Sequence, residues 1–196
     1  MTIRIGIMGS GQIVQRSHLP GFQEDGRCEV VAIAARDEQR LRDVAGRFRI
    51  PRFYTDWRAM LDAEELNAVT VASPPALHRE MAVAALEQGL DVLIEKPLAP
   101  TLEDVDAIVA AADRSGRIAM VQQTLRYNPT FWRAAELVRA GEIGQVRRVH
   151  AALLNLGPRS WAPNSTWFFD PALAGGGVLL DSGVHLVDLV RHMTGS

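Results

Sequence analysis

Lys96, Asp181 and His185 have the side-chain types and the spacing to bind a hydroxyl group and move its proton. Lys96 stands in "LIEKPLAP", residues 93–100, where an apolar run ends in Glu95-Lys96-Pro97. A lysine at such a tip, partly withdrawn from water, can bond a hydroxyl or release its own proton. Pro97 stiffens the backbone behind it, in trans or in cis, and so aims the side chain. Asp181 and His185 stand four apart in "GGGVLLDSGVHLVDLVRH", with Asp188 three further on. At helical spacing all three share one face, and a carboxylate that orients an imidazole makes a proton relay. Blander readings exist: Lys96 as a surface lysine, and the acidic and histidine residues as a solvated polar face. A metal site would add His192, but it lacks a third well-spaced ligand, so no metal is expected.

A second group of residues suits a phosphate-bearing ligand. "GSGQIV" follows the apolar run "IRIGIM" and opens a helical pattern. Gly9 permits a tight turn, and Gly11 lets a pyrophosphate approach the backbone at a helix N-terminus. Val14 takes the third fingerprint position, where a small residue is usual. It should push the helix off the sheet or be absorbed by small neighbours. At the end of the second apolar run, "AIAARDEQR" places Ala35 and Arg36 where an NAD-preferring site has an acidic residue. A small residue followed by a guanidinium leaves room for a 2′-phosphate and pairs with it, and Arg40 adds charge one turn on. NADP is therefore expected over NAD, with Asp37 as a helix N-cap. In "SPPALHRE", Ser73 and Pro74 end a third run, and His78 opens a helix, where it either faces the nicotinamide side or is a helix-start residue with a satisfied ring.

Alternating elements must position these residues. Strands are expected at 3–8, 28–35, 66–73, 90–95 and within "RIAMVQQ", separated by helical patterns. That alternation argues an α/β fold, with helices on both faces of a parallel sheet. After about residue 125 the pattern changes to a helix, a strand at 145–155, a loop rich in Gly, Pro and Trp, and an amphipathic helix. One strand cannot pair its own backbone, so this second unit reads as the incomplete start of a domain.

The totals fit an ordinary globular protein. The chain has 196 residues, is 47% hydrophobic and 22% charged, and carries a formal net charge of -2. No broad basic surface for nucleic acid is expected. No membrane span and no secretory signal are read from the chain. Cys28 is the single cysteine, which fits a reducing cytoplasm.

Taken together, "GSGQIVQRSHLP", "AARD", "ASPPALH", "EKPLA" and "GGGVLLDSGVHLVDL" resemble, in order and spacing, the Gfo/Idh/MocA oxidoreductases. The resemblance implies an N-terminal doubly wound Rossmann domain, residues 1–123. It implies the start of an α/β domain with a mostly antiparallel sheet, residues 124–196, most of which would lie beyond Ser196. It further implies hydride transfer between NADP or NAD and a sugar, cyclitol or related alcohol, by a homo-oligomer. Matched onto this sequence, Lys96 contacts substrate and cofactor, and His185 accepts the proton beside Asp181. Gly9, Gly11, Gln12, Ile13, Ser73, Pro74, His78 and Glu95 fall on the cofactor side. Arg126, Tyr127 and Asn128 fall on the substrate side. Two rival readings share the fold: a non-catalytic NAD(P)-binding sensor, and an NAD-dependent glycosidase.

Overall fold

The computed structural model describes residues 2–163 and 165–195, with Trp161 described by its backbone only; Met1, Asn164 and Ser196 of the expected domain spans lie outside them. Six strands form one parallel sheet: β1 (Ile3–Met8), β2 (Cys28–Ala34), β3 (Arg52–Tyr54), β4 (Ala68–Val71), β5 (Asp91–Glu95) and β6 (Ala119–Gln122). Their order across the sheet is β3-β2-β1-β4-β5-β6. Successive side chains point to opposite faces. Ile5 and Ile7 of β1 and Ile33 of β2 therefore join Val14, Leu19 and Leu41 in one core layer. Met8, Ala32 and Ala34 join Val69, Val71, Leu86 and Ile108 in the other. Each such large apolar side chain contributes about 1.5–3 kcal/mol on burial.

Helices α1 (Leu19–Glu24), α2 (Glu38–Phe48), α3 (Trp57–Ala63), α4 (His78–Glu87) and α5 (Leu102–Ser115) cross between the strands. Their ends follow local chemistry. Asp37 caps α2 by accepting from the Arg40 amide, and Thr101 caps α5 by accepting from the Asp104 amide. β3 has no counterpart among the expected strands. It is three residues long, largely exposed and on the sheet edge, so it shows no buried periodicity.

Beyond β6 lie α6 (Pro129–Arg139), α7 (Pro158–Trp161), α8 (Pro171–Ala174) and α9 (Val184–Thr194). The strand expected at 145–155 is not formed: those residues have no regular secondary structure and are almost all exposed. Its backbone has no partner strand among the described residues, and an unpaired strand is not a stable element. No antiparallel second sheet is present among the described residues. Residues 171–194 contain the longest apolar helical stretch among the described residues that meets the length of a membrane span. By length and composition alone this helical stretch could cross a membrane. It nevertheless holds Asp181 and Asp188, each ion-paired with a residue from an earlier part of the chain.

Candidate active site at the carboxyl ends of the strands

The sheet order reverses direction between β1 and β4, and a crevice at that point is where open parallel sheets bind ligands. Gly9 lies just beyond β1 at a φ of 132°, and a Cβ there would stand 2.2 Å from the Ala72 carbonyl oxygen beyond β4. Only glycine fits both the backbone conformation and the approach. A Cβ on Gly11 would meet nothing of the chain within 4 Å, so open space faces it. The helical stretch 12–24 starts at Gln12 and Ile13, and its first-turn amides have no intrahelical acceptor. This arrangement fits a pyrophosphate. Gln12 also presents a buried side-chain oxygen without a partner among the described residues.

Val14 is fully buried in the core layer, with the small residues Ala35, Ala45 and Ala72 in the same cluster. The helix widens into a π turn from Val14 to His18. Of the two outcomes expected for the larger third residue, absorption by small neighbours is the one seen, and His18 at the end of the wider turn is buried.

The Glu95-Lys96-Pro97 turn follows β5 and contains a cis bond between Lys96 and Pro97. Glu95 is buried, and its Oε1 lies 2.8 Å from His18 Nε2. Its Oε2 accepts from the Lys96 amide at 3.2 Å. His78 supports the turn from the far side. Its Nδ1 lies 3.0 Å from the Pro97 carbonyl, and its Nε2 lies 2.9 Å from the Ser73 carbonyl. Burial pushes the His78 pKa down and outweighs the opposing pull of those carbonyl groups. His78 and Glu95, expected on the cofactor side, support this turn from the interior. The His78 ring is 0% exposed, so it offers a ligand no surface. The Glu95 carboxylate is committed to His18 and the Lys96 amide.

Lys96 points across to the second part of the chain. Its Nζ donates to Asp181 Oδ1 at 2.7 Å and to the Asp181 carbonyl at 2.9 Å. Asp181 was expected to hold or tune His185, and no hydrogen bond joins the two among the described residues. Asp181 sits in a second π turn, Leu179–Gly183, ahead of α9. A wider turn rotates residues four apart out of line, so the carboxylate meets the lysine instead. His185 Nδ1 is buried and has no partner among the described residues. Burial, and then the positive charge of Lys96, push the His185 pKa down, so the neutral ring persists to lower pH. Asp188 turns to Arg126, whose Nε and Nη2 donate at 2.8 and 2.5 Å. Arg126, expected on the substrate side, thus anchors α9 through Asp188. Tyr127 is exposed, and Asn128 caps α6 through the Thr130 amide.

A close approach holds the two segments together. Gly175, at a φ of 73°, faces Pro100 so closely that a Cβ would fall 2.4 Å from the proline Cβ. A cavity of about 480 Å³ is lined by Pro75 and Pro97 of the first segment and by Asn155, Trp167, Phe169 and Asp181 of the second. At the opposite end of the crevice, Ala35 follows β2 and Arg36 is exposed, with no ion pair among the described residues. Arg40 is half-exposed and 3.5 Å from Asp37. Ser73 and Pro74 line the β4 end, half-buried.

Residues 3–123 match a family model described as an oxidoreductase family with an NAD-binding Rossmann fold, and residues 131–196 match the Gfo/Idh/MocA C-terminal domain. The chain belongs to the Gfo/Idh/MocA oxidoreductase family. Within it, the chain is 36% identical to a D-xylose 1-dehydrogenase (NADP(+)) of Haloferax volcanii, covering 97% of this chain and 57% of the relative. It is 30% identical to a levoglucosan dehydrogenase of Pseudarthrobacter phenanthrenivorans, covering 97% and 49%. A crystal structure of an oxidoreductase domain protein from Kribbella flavida superposes with a TM-score of 0.84 at 32% identity, covering all of this chain and 55% of that one. The chain thus spans about half the length of the curated relatives it matches.

His18 had been given no role from sequence. Its partner Glu95 lies 77 residues away, and no local pattern reports such a pair.

Proposed function

We propose that this chain forms the cofactor-binding domain and the first part of the substrate domain of an NAD(P)-dependent dehydrogenase acting on the CH–OH group of a sugar, cyclitol or related alcohol. The domains divide near residue 123. The observation that carries this reading is the contact of Lys96 with Asp181, beside His185, at the carboxyl end of β5. When bound, the nicotinamide would exchange a hydride with the substrate carbon.

The chain's own residues hold and deprotonate the alcohol. Lys96 donates to the substrate oxygen as negative charge develops there. Asp181 keeps the ammonium in place until substrate arrives. His185, held neutral by burial and by the lysine charge, accepts the hydroxyl proton. The aromatic wall of Trp167 and Phe169 supports the apolar face of a ring and excludes water. Arg36, exposed and unpaired among the described residues, together with Ala35, supports NADP over NAD. The D-xylose and levoglucosan dehydrogenases among the relatives agree with a small sugar substrate.

The test is a panel of aldoses, anhydrosugars and cyclitols offered with NADP to the full-length protein. Reduction at 340 nm by at least one of them, abolished in Lys96→Met, is the expected result. Cofactor binding without turnover across the panel would overturn it in favour of a sensor. Sugar release without net reduction would favour a glycosidase.

A further inference from the structure

We propose that His18 is a positioning residue for Lys96, acting through the buried carboxylate of Glu95. This rests on the assignment of Lys96 as the substrate-oxygen donor. The geometry is a short chain of contacts. His18 Nε2 lies 2.8 Å from Glu95 Oε1, and the other carboxylate oxygen accepts the Lys96 amide at 3.2 Å. His18 is 5% and Glu95 8% exposed, so the pair is largely shielded from water in its present position.

A carboxylate in such a place needs every hydrogen bond it has. Deprived of His18, it gains by turning outward to solvent, and it then releases the Lys96 amide. Among the described residues, the Glu95 carboxylate is the side chain that holds the lysine's own amide; the supports from His78 reach Pro97 and Leu98 instead. The lysine's long side chain amplifies a small rotation of this turn into a displaced ammonium. His18 also closes the π turn of the helical stretch that starts beside Gly11. The same residue therefore ties the phosphate-facing helix to the turn that holds the donor.

The role separates from simple fold stability through the choice of variants. Glutamine can place its amide nitrogen near the position of an imidazole Nε2, whereas leucine of similar bulk cannot donate. In the full-length protein, His18→Leu should lower kcat about 10- to 100-fold, the range for misplacing a reacting group. NADPH affinity, read by fluorescence titration, should change by less than about threefold, because no direct cofactor contact is removed. His18→Gln should recover most of the loss. The double variant His18→Leu/Glu95→Gln should be no slower than Glu95→Gln alone, since both changes break one chain of contacts.

Amide hydrogen exchange gives a readout without turnover. Exchange at Lys96 should accelerate at least about tenfold in His18→Leu, while Val92 in the middle of β5 stays protected. If the native protein turns over no substrate, the functional assignment fails, and the exchange data still decide whether the clamp exists. Equal impairment of the Leu and Gln variants, multiplied losses in the double variant, or unchanged exchange at Lys96 would each overturn the proposal. Should His18→Leu not fold, His18→Gln and Glu95→Gln carry the same comparison at Lys96.

Discussion

Asp181 closes on Lys96, at 2.7 Å, and His185 Nδ1 is left without a partner among the described residues. Eighty-five residues of chain separate the ion pair, which joins the turn after β5 to the helix of the second segment. Under the proposed function, the pair is the arrangement of the donor before substrate arrives.

Removing the lysine should therefore cost catalysis more than folding. Lys96→Met should reduce kcat/KM by at least about 100-fold, the scale for losing a donor to a developing oxyanion. Far-ultraviolet circular dichroism should be unchanged. Full turnover in this variant would show that the donor lies elsewhere.

The His185 pKa is lowered, so the base should stay neutral below the ordinary imidazole value of about 6.5. Alcohol oxidation should hold its kcat/KM into more acid solution than an unperturbed histidine would allow. A pH–rate profile checks this, with the acid limb displaced downward. His185→Asn should lower the rate about 100-fold and flatten that limb.

The same direction sets a stability trend. His78 and His185 both have folded pKa values below their unfolded ones. Between the two values the unfolded chain binds more protons, so stability rises with pH in that window. It is fully present above about 6.5 and is lost as pH falls toward the folded values. Urea midpoints measured from pH 5 to 8 should show this slope, and a smaller one in His78→Gln.

Arg36 should decide between the two dinucleotides. Arg36→Ala should weaken NADPH binding about 10-fold or more, the worth of a charge-assisted pair, and leave NADH binding nearly unchanged. Fluorescence titration of both cofactors is the measurement. Native binding of NADH at least as tight as NADPH would remove the basis for the preference.

The two glycines of the first turn should fail differently. Gly9→Ala drives a Cβ into the Ala72 carbonyl and strains a φ of 132°, so it should lower stability by about 1–3 kcal/mol. Gly11→Ala meets nothing of the chain, so its melting temperature should be near native. Its cofactor affinity should fall, because the methyl occupies space a pyrophosphate needs. Thermal melts with and without NADPH separate the two effects.

The first unit was legible in the sequence because its information is local. Five of the six strands are apolar runs, helix ends carry Asp37, Thr101 and Gly116 as caps, and Gly9 and Gly11 stand where a first turn needs them. Lys96 could be placed at a strand tip for the same reason. What the tertiary structure decided depends on contacts across many residues, or on a departure from regular helix. The π turn at Leu179–Gly183 sends Asp181 to Lys96 and not to His185, and its residue types do not announce it. His18 becomes Glu95's partner only because β1 and β5 stand on either side of β4 in one sheet, which brings the helical stretch after β1 over the end of β5. The run at 145–155 has a strand's composition, yet pairing needs a neighbour, and its own residues cannot supply one.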